Sequence, residues 1–111
     1  MTLFITILLA CNQPDPCAEM CSASTQVYGA CLEEWGADWQ AAGHEDARDY
    51  FHTCETWAWE LRLLERDAKR SGDIDELGHV DQVCQSHDAS LRTAEDPCQT
   101  WSNFDWNDLP W

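Results

Sequence analysis

The clearest pattern in the chain runs through its middle. Ala47, Tyr50, Cys54, Trp57, Leu61, Leu64 and Ala68 recur at steps of three and four, the stripe that an α-helix turns toward one side. Glu45-Asp46 stands before it, and Arg62, Arg66, Lys69 and Arg70 gather toward its end, which complements the helix dipole. Ser71-Gly72 breaks it. An earlier stripe passes through Cys17, Met20, Ser24, Val27 and Cys31 and continues to Trp35 and Trp39. It follows Asp15-Pro16, an N-cap residue with proline at the first helical position, and exits through Gly36 and Ala41-Ala42-Gly43. The third stripe is Ile74, Leu77, Val80, Cys84, His87, Leu91 and Ala94. Asp73 and Glu76 open it at capping-box spacing, and Asp96-Pro97 stops it. No alternating apolar–polar run calls for a strand.

Three amphipathic helices with short connections predict an all-α fold: a small antiparallel three-helix bundle over residues 16–97, followed by an irregular, acidic, aromatic tail over 98–111. The cysteines add staples to that picture. There are 7 in 111 residues, and no two stand in the C-x2-C spacing that zinc sites favour. Such spread-out cysteines fit disulfides formed in an oxidising compartment. Cys17, Cys31, Cys54 and Cys84 all lie on the predicted core stripes. If the first connection is centred between Ala42 and Gly43, Cys31 faces Cys54 across the hairpin. Cys84 then lies near the level of Val27, which gives Cys21–Cys84 and leaves Cys17–Cys98. Each bond would contribute about 2–4 kcal/mol to a domain whose core is modest.

Pairing six cysteines leaves Cys11. It ends the apolar run LFITILLA at residues 3–10, a stretch of signal-sequence length that is too short to span a bilayer. Leu8-Leu9-Ala10-Cys11 resembles the lipobox of bacterial lipoproteins, with Leu8, Ala10 and Cys11 matching that pattern; no Lys or Arg precedes the run. The resemblance implies a signal peptide over residues 1–10, cleavage before Cys11, lipid on its thiol and acylation of the new amino terminus. The domain would be anchored to the membrane through a short tether, residues 11–15. In enteric members of that class an Asp beside the cysteine is an inner-membrane retention signal. Asn12 stands there instead, which points to the outer membrane of a bacterial cell envelope.

Charge narrows the partners. The chain carries 21 acidic and 6 basic residues, a net charge of −15, which disfavours nucleic acid. An envelope protein or polysaccharide is the expected partner class, besides the membrane reached through the lipid. The tail "CQTWSNFDWNDLPW" offers Trp101, Trp106 and Trp111 as candidate ligand-binding residues, able to stack on sugar rings or to pack back onto the helices.

Other stretches resemble known sites only in part. Asp73 to Cys84 has Asp73, Asp75, Gly78 and Asp81 at the places of an EF-hand loop, but Leu77 and Cys84 replace two oxygen ligands. "VCQSHDASL" resembles the catalytic helix of secreted phospholipases A2 at Cys84, His87 and Asp88, without that family's glycine-rich calcium loop. His44-Glu45 begins like H-E-x-x-H, but Arg48 stands at the second ligand position. The sequence therefore leads to a non-enzymatic interaction or structural module with no catalytic residues, metal or cofactor. A carbohydrate-binding lipoprotein is the alternative, and a small phospholipase-like hydrolase the remotest.

Overall fold

The computed structural model describes residues 14–111, so the signal-like run and Cys11 lie outside the described residues. The chain folds as an all-α, disulfide-stapled bundle of three long helices: α1 (Pro16–Glu34), α2 (Ala47–Ser71) and α3 (His79–Thr93). The tail, expected to be irregular throughout, opens instead with a short fourth helix, α4 (Pro97–Asn103), because Asp96 caps it, accepting from Gln99 N at 3.2 Å, and Pro97 takes its first position; residues 104–111 follow without regular structure. No strand occurs among the described residues.

Local chemistry sets the helix ends. Asp15 accepts a hydrogen bond from the Cys17 amide at 2.8 Å, and Pro16 begins α1 at no cost in lost donors. Asp46 accepts from Asp49 N at 2.8 Å to start α2, and Gly72, at φ 85°, takes the left-handed C-cap that a side chain would strain. The third helix begins later than its stripe suggests. Gly78, at φ 109°, precedes it and supplies no side-chain cap. Glu65 on α2 does that work: its Oε1 accepts from Val80 N at 3.1 Å, and the residue is only 5% exposed. A carboxylate at a helix N-terminus meets both the unpaired amides and the dipole.

The core is small. Met20, Val80, Leu61 and Ala58 pack with Cys17, Cys21, Cys54 and Cys84, so cystine sulfur fills space that aliphatic side chains fill elsewhere. On α2 the buried stripe includes Leu61, Glu65 and Ala68, whereas Leu64, expected inside, is 51% exposed. Trp35, another expected core residue, lies beyond the end of α1 and is 51% exposed.

The three disulfides are Cys17–Cys84, Cys21–Cys54 and Cys31–Cys98, with Cα separations of 4.9, 5.7 and 5.7 Å. They use the six expected cysteines, but no pair is the expected one: Cys31–Cys54, Cys21–Cys84 and Cys17–Cys98 do not form. One register error accounts for all three. The first connection is not a symmetric loop centred on Ala42 and Gly43. Trp39 folds back against α1, where a Cβ on Gly29 would lie 3.1 Å from its ring, and Tyr28 meets it edge-on at 5.3 Å. With Cys54 at Cys21 and Tyr50 at Ser24, α2 starts well below the top of α1. Cys84 then comes level with Cys17 rather than Val27, and Cys31 is left above α2 for the tail to reach.

Non-reducing digestion of the oxidised protein should therefore return Cys17–Cys84, Cys21–Cys54 and Cys31–Cys98 peptides. In a Cys31→Ala variant the thiol open to alkylation should be Cys98, with Cys54 still blocked. The variant should lose about 2–5 kcal/mol of stability in denaturant unfolding. A labelled Cys54 would contradict this register.

Candidate aromatic binding site

The Cys31–Cys98 bond decides where the tail goes. It fixes the start of α4 beside the upper end of α1, and α4 then runs back down that helix. Trp101, three residues after Cys98, stacks on Tyr28, three residues before Cys31, with ring centroids 3.8 Å apart and an 18° tilt. The Trp101 indole Nε1–H is shared between Ser24 Oγ at 3.0 Å and Tyr50 Oη at 3.1 Å. Those two hydroxyls bond each other at 2.8 Å. Burial pushes the Tyr50 phenol upward, so it stays neutral and available for this arrangement.

The tail continues downward beyond α4. Trp57 on α2 donates its indole N–H to the Trp106 carbonyl at 2.7 Å. The two indole rings meet nearly edge to face, 4.9 Å apart at 82°. Phe104 stacks on His87 of α3 at 3.8 Å. Between these contacts lies a cavity of about 280 Å³, lined by Tyr28, His44, Tyr50, Thr53, Cys54, Trp57, Trp101 and Trp106. Its wall is almost wholly carbon and includes no Lys or Arg.

Two of the three tail tryptophans expected to bind a ligand, Trp101 and Trp106, line this cavity. Trp111 packs instead against the core cluster. All three are half-buried. The remaining wall comes from Tyr28, His44, Tyr50 and Trp57. Tyr50 and Trp57 fell on a helical stripe and read as core, and Tyr28 and His44 stood on no stripe. No pattern in the sequence joins them, because the pocket exists only where the tail crosses α1 and α2. The Trp101 and Trp57 indole donors and the Tyr50 hydroxyl are already committed within the protein, and the wall is almost wholly carbon, so a sugar would find few polar partners here.

The other candidate chemistries are structurally engaged. His87 is 5% exposed and its Nε2 has no hydrogen-bond partner. Loss of solvation lowers its pKa to about 4, and the nearby Asp88 charge opposes that shift only weakly. Asp88 Oδ1 accepts from Arg92 Nε at 2.8 Å. In the EF-hand-like stretch, Asp73 accepts from Ser71 Oγ at 3.0 Å, Cys84 is disulfide-bonded, and the residues from His79 onward are helical.

Asp15, Cys17 and Asp81 bring ligand-type atoms within 4.8 Å of one another, yet a cation already sits there. Arg62 Nη2 lies 2.6 Å from Asp15 Oδ1 and 2.7 Å from Asp81 Oδ1, and the Cys17 sulfur is spent on Cys84. The Arg62 hydrogen bonds hold the Asp15 carboxyl down at about 2. Of the basic residues near the end of α2, Arg66, Lys69 and Arg70 are exposed.

Compared with known proteins, the chain matches no family model, no characterised protein and no solved structure. No helix among the described residues is long and apolar enough to cross a membrane.

The buried His87 has a pH consequence. Its folded pKa of about 4 lies below the ordinary value of about 6.5, so the unfolded chain takes up a proton that the folded one refuses. Stability is full above about pH 6.5 and falls as pH drops toward 4, by about 3 kcal/mol at most. His87→Leu should remove this slope in urea unfolding measured from pH 7 to pH 4. The fall that remains below pH 4 should belong to carboxylates such as Asp15, whose depressed pKa withdraws its contribution between about 4 and 2.

Proposed function

We propose that this chain is a bacterial envelope lipoprotein, cleaved before Cys11, lipidated on that cysteine, and acting as a non-enzymatic binding module close to the outer membrane. The observation that carries the reading is parity. The 7 cysteines of the chain include 6 paired inside the domain. The one left over is the cysteine of the lipobox-like Leu8-Leu9-Ala10-Cys11. Two facts with no necessary connection then account for each other. An oxidising compartment suits the disulfides, and a multiply acylated amino terminus gives a stable anchor where a single chain would not.

The tether supports a position near the bilayer. Four residues, Asn12 to Asp15, separate the proposed anchor from α1, a reach of about 14 Å at full extension. The make-up of the site supports a binding role rather than a catalytic one. The aromatic pocket presents carbon surface, while His87 is sealed beneath Phe104 and the Asp15–Arg62–Asp81 cluster is closed on itself.

Cys11→Ser should turn a membrane-extracted protein into a soluble, processed or unprocessed one that keeps the same far-ultraviolet circular dichroism, because no staple is lost. Intact mass of the extracted wild-type chain, alkylated without reduction, should show lipid on Cys11 and no alkyl group. An unmodified Cys11 would end the anchoring proposal.

A further inference from the structure

We infer that the aromatic pocket binds a small soluble molecule carrying a quaternary ammonium group. This deepens the binding-module reading and rests on it, but not on the lipid anchor. Three observations converge. The pocket is walled by two aromatic corners: Tyr28 and Tyr50 meet at 67°, and Trp57 and Trp106 at 82°. Ring faces attract cations through their quadrupole, most strongly where water is excluded.

The second observation is the committed hydrogen bonding at the rim. Trp101 Nε1, Ser24 Oγ and Tyr50 Oη bond one another, and Trp57 Nε1 is taken by the Trp106 carbonyl. Against a wall that is almost wholly carbon, a primary ammonium or a sugar would leave most of its donors unmet, at a desolvation cost. A quaternary ammonium carries charge but has no N–H to satisfy. The third observation is electrostatic. The chain's net charge is −15, no Lys or Arg lines the cavity, and the Asp49 carboxylate stands 3.8 Å from Nδ1 of the lining His44. An acidic field concentrates cations at an apolar cleft and repels anions. A cavity of about 280 Å³ is just below the usual range of ligand-site volumes, which suits a headgroup-sized molecule.

The test is calorimetric titration of the full-length chain, extracted in a maltoside detergent, with choline chloride, with its neutral isostere 3,3-dimethylbutan-1-ol, and with sodium acetate. Choline should bind about tenfold more tightly than the isostere, the ratio expected of a partly desolvated cation–π site, and acetate should not bind. Thr53→Arg places a like charge at the pocket lining from an exposed helical position and should abolish choline binding while leaving the circular dichroism and the unfolding midpoint in place. Asp49→Asn should weaken choline and leave the isostere unchanged. Equal affinity for choline and isostere, no binding of either, or binding of phosphatidylcholine vesicles by the unlipidated Cys11→Ser protein without binding of free choline would each overturn the inference. The lipidated mass of Cys11 is read on the same preparation. Failure here with lipid present removes the ligand class and leaves the anchor, and the reverse result removes the anchor alone.

Discussion

Every cross-link of the domain starts on α1. Cys17 bonds α3, Cys21 bonds α2 and Cys31 bonds α4. The three positions share one side of a single helix, so one rigid element sets the height of each other element against it. The Cys17–Cys84 and Cys31–Cys98 bonds each span 67 residues. The third helix and the start of the tail are therefore tied to α1 at two points with the same sequence offset. A core with few large aliphatic side chains could not impose that register by packing alone. In chain-entropy terms, loops of this length stabilise the fold by about 4 kcal/mol each when closed, a large share of what a small domain has.

At the opposite pole the controlling resource is positive charge. The chain has 6 basic residues, and it spends Arg62 on joining the start of α1 to the start of α3 through Asp15 and Asp81. Beside that cluster a buried carboxylate, Glu65, closes the N-terminus of α3. The polar connections at this pole do work that hydrophobic contacts do elsewhere in the bundle. They also explain how an acidic chain keeps its helix ends together: its carboxylates are placed on amides and on the Arg62 guanidinium.

The periodicity of apolar residues was enough to read three helices and their antiparallel order. It could not read how far they slide. A stripe says which side of α2 is buried, but a bond between Cys21 and Cys54 rather than Cys31 and Cys54 depends on where Trp39 packs, and that is decided by a loop. The same limit explains Glu65. Both Leu64 and Glu65 stand one turn from Leu61, and only the arrival of the α3 amides makes the charged residue the buried one. In the tail, aromatic density singled out Trp101 and Trp106, but their partners Tyr28, Tyr50 and Trp57 were hidden because each belongs to a different stretch of sequence.

The pocket and the disulfides are thus one system. Two walls of the site, Trp101 and Trp106, sit on the segment that Cys31–Cys98 ties to α1. Without that bond the segment is held by ring stacking, by the shared Trp101 indole proton and by the Trp57–Trp106 contact, interactions of about 1 kcal/mol apiece against the entropy of a segment with no covalent tie to α1. Closing the bond removes most of that entropy in advance, so the rings need only choose their stacking geometry. Oxidation therefore does more than strengthen a small core. It turns an aromatic tail into the wall of a defined cavity, so the shape of that cavity depends on whether Cys31 and Cys98 are paired.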